Sequence, residues 1–284
     1  MRIDQMLSYI REQLRSANIE EPALEARLFL EKATSLDNTS LIIQAKRELT
    51  KEEEANALSS LEKKLNGTPT AYILKEKEFY GLSFYVDERV LIPRPDTETL
   101  VETALSYLKG KENIEVLDMC TGSGCVGISI SYESGCNVLL TDISSEALEV
   151  AKENAERYIK GRYKLKQSDL FQNIERDKKF DVIVSNPPYL TDSWYSEVSI
   201  EVKKEPKLAF PGFGNDGLDI IRRIVSEGRS YLKKGGLLAL ECDFRQCKEC
   251  VNILHQHNFS DISVIKDLAQ RDRVVRGVFN CTNS

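Results

Sequence analysis

The chain has 284 residues, of which 41% are hydrophobic and 30% are charged, so it is long enough for two domains with ordinary globular cores. Its formal net charge of -6 argues against a broadly basic surface that coats nucleic acid, and it favours a protein or small-molecule substrate. No apolar run approaches the roughly 20 residues that a membrane-spanning helix needs, and the charged, amphipathic N-terminus does not resemble a signal peptide. We therefore expect a cytoplasmic protein, and the seven scattered cysteines predict free thiols instead of a disulfide framework.

Residues 1–70 show the periodicity of helices. Near the N-terminus, apolar side chains recur at three- and four-residue steps, at Met6, Leu7, Ile10 and Leu14. Pro22 fits the first turn of a second helix, and Thr50 with Glu53 forms the capping box of a later one. Gly67-Thr68-Pro69 is expected to end the bundle. We predict a small all-helical domain over residues 1–70 that has no catalytic motif of its own.

An extended pattern follows the helical segment. It runs from Phe79 to Ile92 and predicts a β-hairpin, within a linker of residues 71–92, that joins two domains. Pro93-Arg94-Pro95 then interrupts regular structure. Asp96 or Thr97 can cap the helix that comes next.

The rest of the chain alternates strands and helices, which is typical of a parallel sheet. The predicted strands are 115–118, 138–141, 163–167, 180–184, 237–241, 262–266 and 274–279. The predicted helices are 124–133, 144–159, 216–232 and 245–257. The loop between the last two strands is short, and parallel neighbours need a crossover of about a dozen residues, so this pair must be antiparallel. We predict an α/β domain over residues 93–284, with a seven-stranded Rossmann-like sheet whose last strand is antiparallel.

A glycine loop follows the first of these strands. Glycines let the backbone approach a ligand closely, and the helix that follows presents free N–H groups at its N-terminus. Gly122, Gly124 and Gly127 match the spacing of the dinucleotide fingerprint. Asp142, about 20 residues further on at the end of the next strand, can bind both hydroxyls of a ribose. The loop by itself therefore fits NAD as well as another nucleoside cofactor, and a glycine turn without a ligand is the third interpretation.

Two observations favour a methyltransferase over a NAD enzyme. Asp118 ends the first strand, where it can anchor the loop and help to hold a cationic methionine-type ligand, whereas a pyrophosphate gains nothing from a carboxylate there. The antiparallel hairpin at the end of the chain resembles the methyltransferase version of this sheet. We therefore predict the class I methyltransferase fold, and a NAD-dependent oxidoreductase is the alternative from a different class.

The strand that begins near Asp181 ends abruptly in Asn186-Pro187-Pro188-Tyr189. Ligands of open α/β sheets bind outside the carboxyl ends of the strands, so this corner faces the same crevice as the glycine loop. The Asn186 side-chain oxygen and the Pro187 carbonyl can each accept one N–H of a planar amide or aniline-like nitrogen, and Tyr189 can stack on that group. We predict an N-methyltransferase whose catalytic residues are Asn186, Pro187 and Tyr189 and whose catalysis is positioning and electrostatics.

Over nearly its whole length the chain resembles the peptide chain release factor glutamine N5-methyltransferases, the PrmC/HemK group. The matching stretches are 78–82, 91–98, 118–127, 167–171, 186–189, 205–206, 216–218 and 271–275. Ile92-Pro93-Arg94-Pro95 discriminates best among them, because Asn-Pro-Pro-Tyr is shared with DNA adenine methyltransferases. A helical N-terminal domain and a hairpin also suit this group.

The resemblance implies the methyl donor and the substrate. The donor is S-adenosylmethionine, which leaves as S-adenosylhomocysteine, and the acceptor is the glutamine of the Gly-Gly-Gln motif of class-one release factors, which the helical domain helps to dock. Donor contacts are implied for Cys120, Thr121, Gly122, Ser123, Gly124, Asp142, Leu170 and Asn186. Substrate contacts are implied for Asn186, Pro187, Pro188, Tyr189 and Arg94. Arg94 either closes the substrate side or pairs with a carboxylate, and Asp169 either reaches the adenine or serves the local loop.

Three sites in the chain depart from the family pattern. Lys75 and Gln270 stand where glycine is usual, and Cys242-Asp243 stands where Ile-Gly is common. All three lie away from the reacting corner, so they bear on local loop shape more than on activity. Cys242, Cys247, Cys250 and His255 match no standard zinc spacing, and we expect thiols and no metal site there.

A methyltransferase that acts on nucleic acid or on a glutamine of a ribosomal protein is the nearest alternative. A DNA enzyme should carry a target-recognition domain and a basic groove, and neither is evident in the sequence. We expect a monomer that contacts neither nucleic acid nor membrane.

Overall fold

The structure, a computed structural model, describes residues 1–280, so the last four residues of the predicted 93–284 domain lie outside the described part of the chain. The chain forms two compact units. The first comprises Met1–Glu76 together with Ser199–Lys204, and the second comprises Lys77–Val198 and the described residues from Glu205 to residue 280. Segment 199–204 therefore belongs to the first unit by packing, although it interrupts the second unit in sequence.

Helices make up the first unit. In residues 1–76 they are α1 (Ile3–Ser16), α2 (Pro22–Thr34), α3 (Asn38–Ile43), α4 (Lys51–Leu65) and α5 (Thr70–Leu74). The predicted apolar stripe of α1 is buried, and its Met6 and Ile10 share one core with Phe29 and Leu30 of α2. Isolated helices of this length are only marginally stable in water. Burial of the apolar stripe is therefore the main contribution to the stability of these helices.

The capping box predicted for α4 is confirmed. Glu53 N donates to Thr50 Oγ1 at 3.1 Å, and Thr50 N donates to Glu53 Oε2 at 2.8 Å. The bundle continues past the predicted end at Gly67-Thr68-Pro69, because α5 follows and places Ile73 in the same core.

A buried lysine holds segment 199–204 against the helices of the first unit. Lys64 Nζ lies 3.2 Å from the Glu25 carboxylate and 2.9 Å from that of Glu201. A buried ammonium is costly unless it is paired, so the two carboxylates compensate for its loss of hydration.

A short antiparallel hairpin opens the second unit. Its strands are β1 (Lys77–Phe79) and β2 (Leu82–Phe84). Tyr80 and Gly81 form the turn with φ of 51° and 72°, the left-handed geometry of a two-residue hairpin loop. The hairpin begins two residues before the predicted range of Phe79 to Ile92 and ends at Phe84, so the prediction of a strand within residues 85–92 is wrong. Just beyond the hairpin, Tyr85 N donates to Asn154 Oδ1 at 2.8 Å. The role of this segment as a linker stays a prediction.

The seven-stranded sheet of the second unit confirms the predicted fold class. Its strands are β3 (Glu115–Met119), β4 (Asn137–Asp142), β5 (Tyr163–Gln167), β6 (Phe180–Ser185), β7 (Leu232–Glu241), β8 (Phe259–Lys266) and β9 (Asp272–Phe279). They lie in the order β5-β4-β3-β6-β7-β9-β8, and β9 is antiparallel to both of its neighbours. All seven strands were predicted to within a few residues, apart from the longer starts of β7 and β8.

Helices cover this sheet. They are α6 (Glu98–Leu108), α7 (Cys125–Ser134), α8 (Ser145–Tyr158), α9 (Asp192–Glu197), α10 (Asp219–Gly228) and α11 (Cys247–Gln256). The sequence did not predict α9, and it predicted α10 several residues too long at both ends. Neither error moves a strand end, so the edge at which the site lies is as expected.

The strand order reverses between β3 and β6. The chain proceeds from β3 outward to β4 and β5, and then returns to place β6 on the other side of β3. Ligands of open α/β sheets bind at such a switch point, outside the carboxyl ends of the strands. The strand order therefore predicts a ligand site at the loops that follow Met119 and Ser185.

Across residues 1–280, no helix combines the length and the apolarity that crossing a membrane would require.

Candidate active site

The glycine loop leaves β3 in a strained, left-handed conformation. Cys120, Gly122 and Gly124 have φ of 58°, 54° and 83°. This conformation is easy for glycine and costs a residue with a Cβ roughly 1–2 kcal/mol, so its presence at Cys120 marks a backbone that its surroundings hold in place. The loop then starts α7, whose N-terminus carries partial positive charge.

Asp118 anchors the loop from beneath, as predicted. Its Oδ2 accepts hydrogen bonds from Thr121 Oγ1 at 2.6 Å and from Gly127 N at 2.9 Å, and the residue is 1% exposed. Burial raises the pKa of Asp118 to about 7, against these two hydrogen bonds, and the nearby charge of Asp142 adds to the increase. The group therefore titrates near neutrality.

The third glycine of the fingerprint serves packing. A Cβ at Gly127 would lie 2.5 Å from Leu140 Cδ2 and 2.8 Å from Asp118 Cβ, so only glycine lets α7 approach the sheet this closely. This glycine is required by helix–strand contact whatever the ligand is, which explains why the fingerprint spacing did not separate the NAD interpretation from the methyltransferase one.

Asp142 lies at the end of β4 and orients the same loop. Its Oδ2 accepts from Gly122 N at 2.9 Å and its Oδ1 accepts from Ser144 N at 3.0 Å. Burial raises the pKa of Asp142 and the two backbone bonds oppose that rise. Each carboxylate oxygen has a second lone pair, so hydroxyl groups of a ligand can still be bound.

A cavity joins the glycine loop to the Asn-Pro-Pro-Tyr corner. Its volume is about 40 Å³, or about 400 Å³ when the adjoining space open to solvent is included. The predicted site residues that line it are Arg94, Cys120, Thr121, Gly122, Ser123 and Asn186, with Thr97 and Asp118 beside them. Two larger hollows, of about 710 and 800 Å³, lie around the amino ends of the strands, away from the edge where such sheets bind ligands.

The Asn186 side chain is hydrogen-bonded to Thr97. Asn186 Nδ2 donates to Thr97 Oγ1 at 3.2 Å, which leaves Oδ1 of the amide as an acceptor. Thr97 is the N-cap of α6, but its side chain makes no capping hydrogen bond. The predicted start of the helix is therefore confirmed, whereas its Thr97 side chain makes no capping hydrogen bond and instead accepts from Asn186.

Tyr189 is held at both its side chain and its backbone. Its hydroxyl donates to Glu241 Oε1 at 3.1 Å, and its carbonyl accepts from Gln246 Nε2 at 2.8 Å. Burial, followed by the charge of Glu241, raises the pKa of Tyr189 well above its usual value, so the hydroxyl keeps its proton. A Cβ at Gly217 would lie 2.4 Å from the Tyr189 carbonyl oxygen, so glycine there permits the loop before α10 to pack on the corner. Stacking of Tyr189 on a substrate stays a prediction.

Arg94 has a carboxylate partner. Its guanidinium is hydrogen-bonded to Glu205 Oε1, and Ile92 N donates to Glu205 Oε2 at 3.0 Å. Glu205 is buried and so holds the Ile-Pro-Arg-Pro segment at the rim of the cavity. One of the two interpretations of Arg94 is thus observed, and its contact with a substrate stays a prediction.

Leu170 and Asp169 lie outside the cavity lining. Leu170 is buried in the main core with a left-handed φ of 48°. Asp169 forms an ion pair with Arg223 of α10 at 3.1 Å. Asp169 therefore has the structural role that was one of its two interpretations. Contact of Leu170 or Asp169 with an adenine stays a prediction.

The residues that lie behind the corner and support it were not predicted. Glu241 and Gln246 were not among the predicted site residues, and Thr97 was one of two candidates, with Asp96, for a helix cap. The only hint in the sequence is the placement of Glu241 at the end of a buried strand, where an unpaired carboxylate would be unfavourable. Its partner Tyr189 could not be identified without the fold.

The predicted thiol cluster lies beneath the end of β7. Cys242 Sγ and Cys247 Sγ are 3.3 Å apart, and Cys250 is buried nearby. In the described part of the chain the cysteines are free, and no group of three or more His, Cys, Asp or Glu side chains is arranged to hold a metal ion.

Comparisons with known proteins agree with this architecture. The family model of the methyltransferase small domain matches residues 96–202, and that of the PrmC N-terminal domain matches residues 5–74. A release factor glutamine methyltransferase of Clostridium acetobutylicum is 38% identical over 282 residues, which cover 98% of this chain and 99% of that protein. One of Borreliella burgdorferi is 34% identical over 290 residues, which cover 99% of this chain and 98% of that protein.

A solved structure supports the fold. The T. thermophilus 16S rRNA N2 G1207 methyltransferase, in complex with AdoMet and guanosine, superposes with a TM-score of 0.54 and 18% identity. The match covers 72% of this chain and 49% of that one. At this identity the likeness concerns the sheet and its helices, which are those of the class I methyltransferases.

Proposed function

The chain belongs to the family of release factor glutamine methyltransferases, and we propose that it methylates the glutamine of the Gly-Gly-Gln motif in class-one peptide chain release factors. The methyl donor is S-adenosylmethionine and the acceptor is the side-chain amide nitrogen. The observation that carries the proposal is the Asn186 amide, whose Nδ2 is engaged by Thr97 beside the glycine loop, so that Oδ1 is left to accept from an N–H group.

The glycine loop and two carboxylates support the proposed donor site. The left-handed backbone at Cys120, Gly122 and Gly124 turns the loop so that it can cradle the methionine part, and Asp142 is placed for the ribose hydroxyls. When bound, S-adenosylmethionine supplies an electrophilic methyl group on a positively charged sulfur. The buried carboxylates of Asp118 and Asp142 favour a cation at this position.

The acceptor nitrogen must be made more nucleophilic, because the lone pair of an amide is delocalised into its carbonyl. Asn186 Oδ1 and the Pro187 carbonyl accept its two N–H bonds, which draws electron density toward the nitrogen and aims it at the donor methyl. Pro187 and Pro188 have no N–H groups that could compete for these acceptors. Tyr189 stacks on the planar amide, and its ring is held for that purpose by the bond to Glu241.

No strong general base is needed for this transfer. The C–N bond forms as the S–C bond breaks, and the nitrogen then carries one proton too many, which makes it acidic enough to lose that proton to water. Asn186 and Pro187 therefore act by position and dipole, and each has lone pairs but no charge of its own.

The first unit contributes to binding the release factor. Ile42 and Ile43, at the end of α3, are 68% and 79% exposed, and adjacent exposed isoleucines favour contact with another protein. We further propose that the enzyme acts as a monomer on protein and without nucleic acid, in keeping with its net charge of -6.

The test is to incubate the protein with a purified class-one release factor and methyl-labelled S-adenosylmethionine, and to locate the label by mass spectrometry. We expect one methyl group on the glutamine of the Gly-Gly-Gln motif, and none on a release factor in which that glutamine is alanine. Nuclease treatment should not change the yield. Label on a different residue, or only on a ribosomal protein, would contradict the proposed substrate.

Ligand-induced melting separates the methyltransferase from the oxidoreductase alternative. S-adenosylhomocysteine should raise the melting temperature because it binds only the folded chain, and NADH should not. Stabilisation by NADH alone would overturn the proposal.

A further inference from the structure

Thr97 and Glu241 lie behind the Asn-Pro-Pro-Tyr corner, and each is 2% exposed. Asn186 Nδ2 donates to Thr97 Oγ1 at 3.2 Å, and Tyr189 OH donates to Glu241 Oε1 at 3.1 Å. These two buried groups therefore contact both hydrogen-bonding side chains of the corner.

Thr97 alone does not determine which end of the Asn186 amide faces the acceptor. A hydroxyl both donates and accepts, so it can bind Oδ1 of the amide as readily as Nδ2. If Oδ1 turned to Thr97, the amide would present N–H groups to the N–H groups of a substrate amide, and the two would repel. A further group must decide the orientation.

Glu241 is the group that can determine the orientation of the Asn186 amide. An ionised carboxylate only accepts hydrogen bonds. Within residues 1–280, Glu241 Oε2 has no hydrogen-bond partner, which leaves it as a buried acceptor for a nearby donor. Burial raises the pKa of Glu241, while the Thr97 hydroxyl, Arg273 and Tyr189 favour its ionised form and oppose that rise.

An ionised Glu241 sets the direction in which each hydrogen bond from Asn186 through Thr97 to Glu241 is donated. The Thr97 hydroxyl favours the ionised form of Glu241, and within residues 1–280 Glu241 Oε2 has no other partner, so we infer that the Thr97 proton points toward this carboxylate. The lone pairs of Thr97 Oγ1 then remain for Asn186 Nδ2, which only donates. Asn186 Oδ1 is left as the free end of the amide, on the side of the cavity.

We propose that Thr97 and Glu241 are positioning residues that fix the Asn186 amide with its oxygen toward the acceptor nitrogen, an inference that rests on the proposed glutamine methylation. The roles differ: Thr97 holds the amide, and Glu241 selects which of its two ends is held.

Steady-state kinetics on the release factor test the two roles. Thr97→Val keeps the shape of the side chain and removes the acceptor, so we expect kcat to fall roughly 10- to 100-fold, which is less than the loss of a preorganised hydrogen bond to the reacting group itself would cause. KM for the release factor and the affinity for S-adenosylhomocysteine should change less than about twofold, because the amide orientation matters mainly in the transition state. Thr97→Ser restores the hydroxyl and should recover most of the turnover.

Glu241→Gln tests the selecting role. Its amide can donate as well as accept, so the orientation of Asn186 is no longer determined and kcat should fall. Because both substitutions act on one chain of contacts, the double variant Thr97→Val, Glu241→Gln should be about as slow as the slower single variant. Unchanged kcat in Thr97→Val, or losses that multiply in the double variant, would overturn the inference.

A spectroscopic readout separates this inference from the proposed function. In the wild-type protein labelled with nitrogen-15, exchange of the Asn186 side-chain amide protons with solvent should be slow, and Thr97→Val should accelerate it. Equal exchange in the two proteins refutes the positioning role even if no release factor is methylated. Slow exchange in a wild-type protein that leaves the Gly-Gly-Gln glutamine unlabelled refutes the proposed function and retains the positioning role.

Discussion

Ser185 Oγ donates a hydrogen bond of 2.6 Å to the carbonyl of Met119, and the two residues are also paired in register between β6 and β3. The glycine loop follows Met119 and the Asn-Pro-Pro-Tyr corner follows Ser185. This one buried contact therefore fixes the start of the glycine loop relative to the start of the Asn-Pro-Pro-Tyr corner. Misplacement of reacting groups by about 1 Å can cost a hundredfold in rate, so such a tie is of direct catalytic value.

Replacement of Asn186 by alanine should abolish methyl transfer while leaving donor binding largely intact. The side chain accepts from the substrate nitrogen, and its loss removes a preorganised hydrogen bond at the reacting atom, so we expect a fall in turnover of roughly a hundredfold or more. Calorimetry with S-adenosylhomocysteine measures donor binding separately. Asn252→Ala, at an exposed position on α11, is the matched control. Wild-type turnover in Asn186→Ala would rule out the proposed corner.

Asp118 should make folding stability depend on pH. Its pKa is about 7 in the folded chain and about 3.9 when unfolded, so between these values the folded state binds more protons. The contribution of Asp118 to the free energy of unfolding is fully present below about pH 4, falls as the pH rises toward 7, and is lost above that. The total loss is up to about 4 kcal/mol, at 1.36 kcal/mol per pKa unit. Urea unfolding at pH 5 and pH 8 measures the change.

The variant Asp118→Asn isolates this effect from the other carboxylates. Asn keeps an oxygen for Thr121 and Gly127 and does not titrate, so its stability should fall less between pH 5 and pH 8 than that of the wild type. A cationic donor favours the ionised carboxylate, so wild-type affinity for S-adenosylmethionine should also rise across pH 6–8, together with any ionisation of Asp142. Parallel pH profiles of the two proteins would show that Asp118 does not titrate in this range.

Gln270→Gly should leave stability unchanged or raise it slightly. Gln270 has φ of 62° in the turn between β8 and β9. Relief of left-handed strain of about 1 kcal/mol is offset by the greater freedom of glycine in the unfolded chain, which is worth about 0.4–1 kcal/mol. Lys266→Gly at the end of β8 is the control and should destabilise by about 0.5–1 kcal/mol in urea unfolding. A loss in Gln270→Gly equal to that of the control would contradict the strain argument.

Replacement of Ile42 and Ile43 by serine should weaken docking of the release factor. Both side chains are largely exposed, so the folded state should lose little stability. We expect KM for the release factor to rise several-fold, while kcat at saturation and donor affinity stay the same. Leu65→Ser, at a 44% exposed position in the same unit, controls for a general loss of surface hydrophobicity. An unchanged KM would remove these isoleucines from the docking surface.

The sequence by itself determined the order of strands and helices in the second unit and the strand ends at which the two motifs lie, because these depend on local sequence patterns. The buried strand before Asn186 is apolar, prolines end it, and glycines follow Asp118, so both motifs could be assigned to strand ends before the fold was known. The capping box at Thr50 and Glu53 was predictable for the same reason, since its two partners are neighbours in one turn of helix.

Only the tertiary structure decided which groups support these motifs. Thr97 and Asn186 are 89 residues apart, and Tyr189 and Glu241 are 52 apart, so no periodicity connects them. The Thr97 hydroxyl suits a helix cap and a partner for an amide equally well, and its local sequence favoured the cap. Hydrogen bonds between side chains depend on where the sheet brings strand ends together. The motifs could therefore be found by pattern, whereas the residues that orient them were identified by their distances in the folded chain.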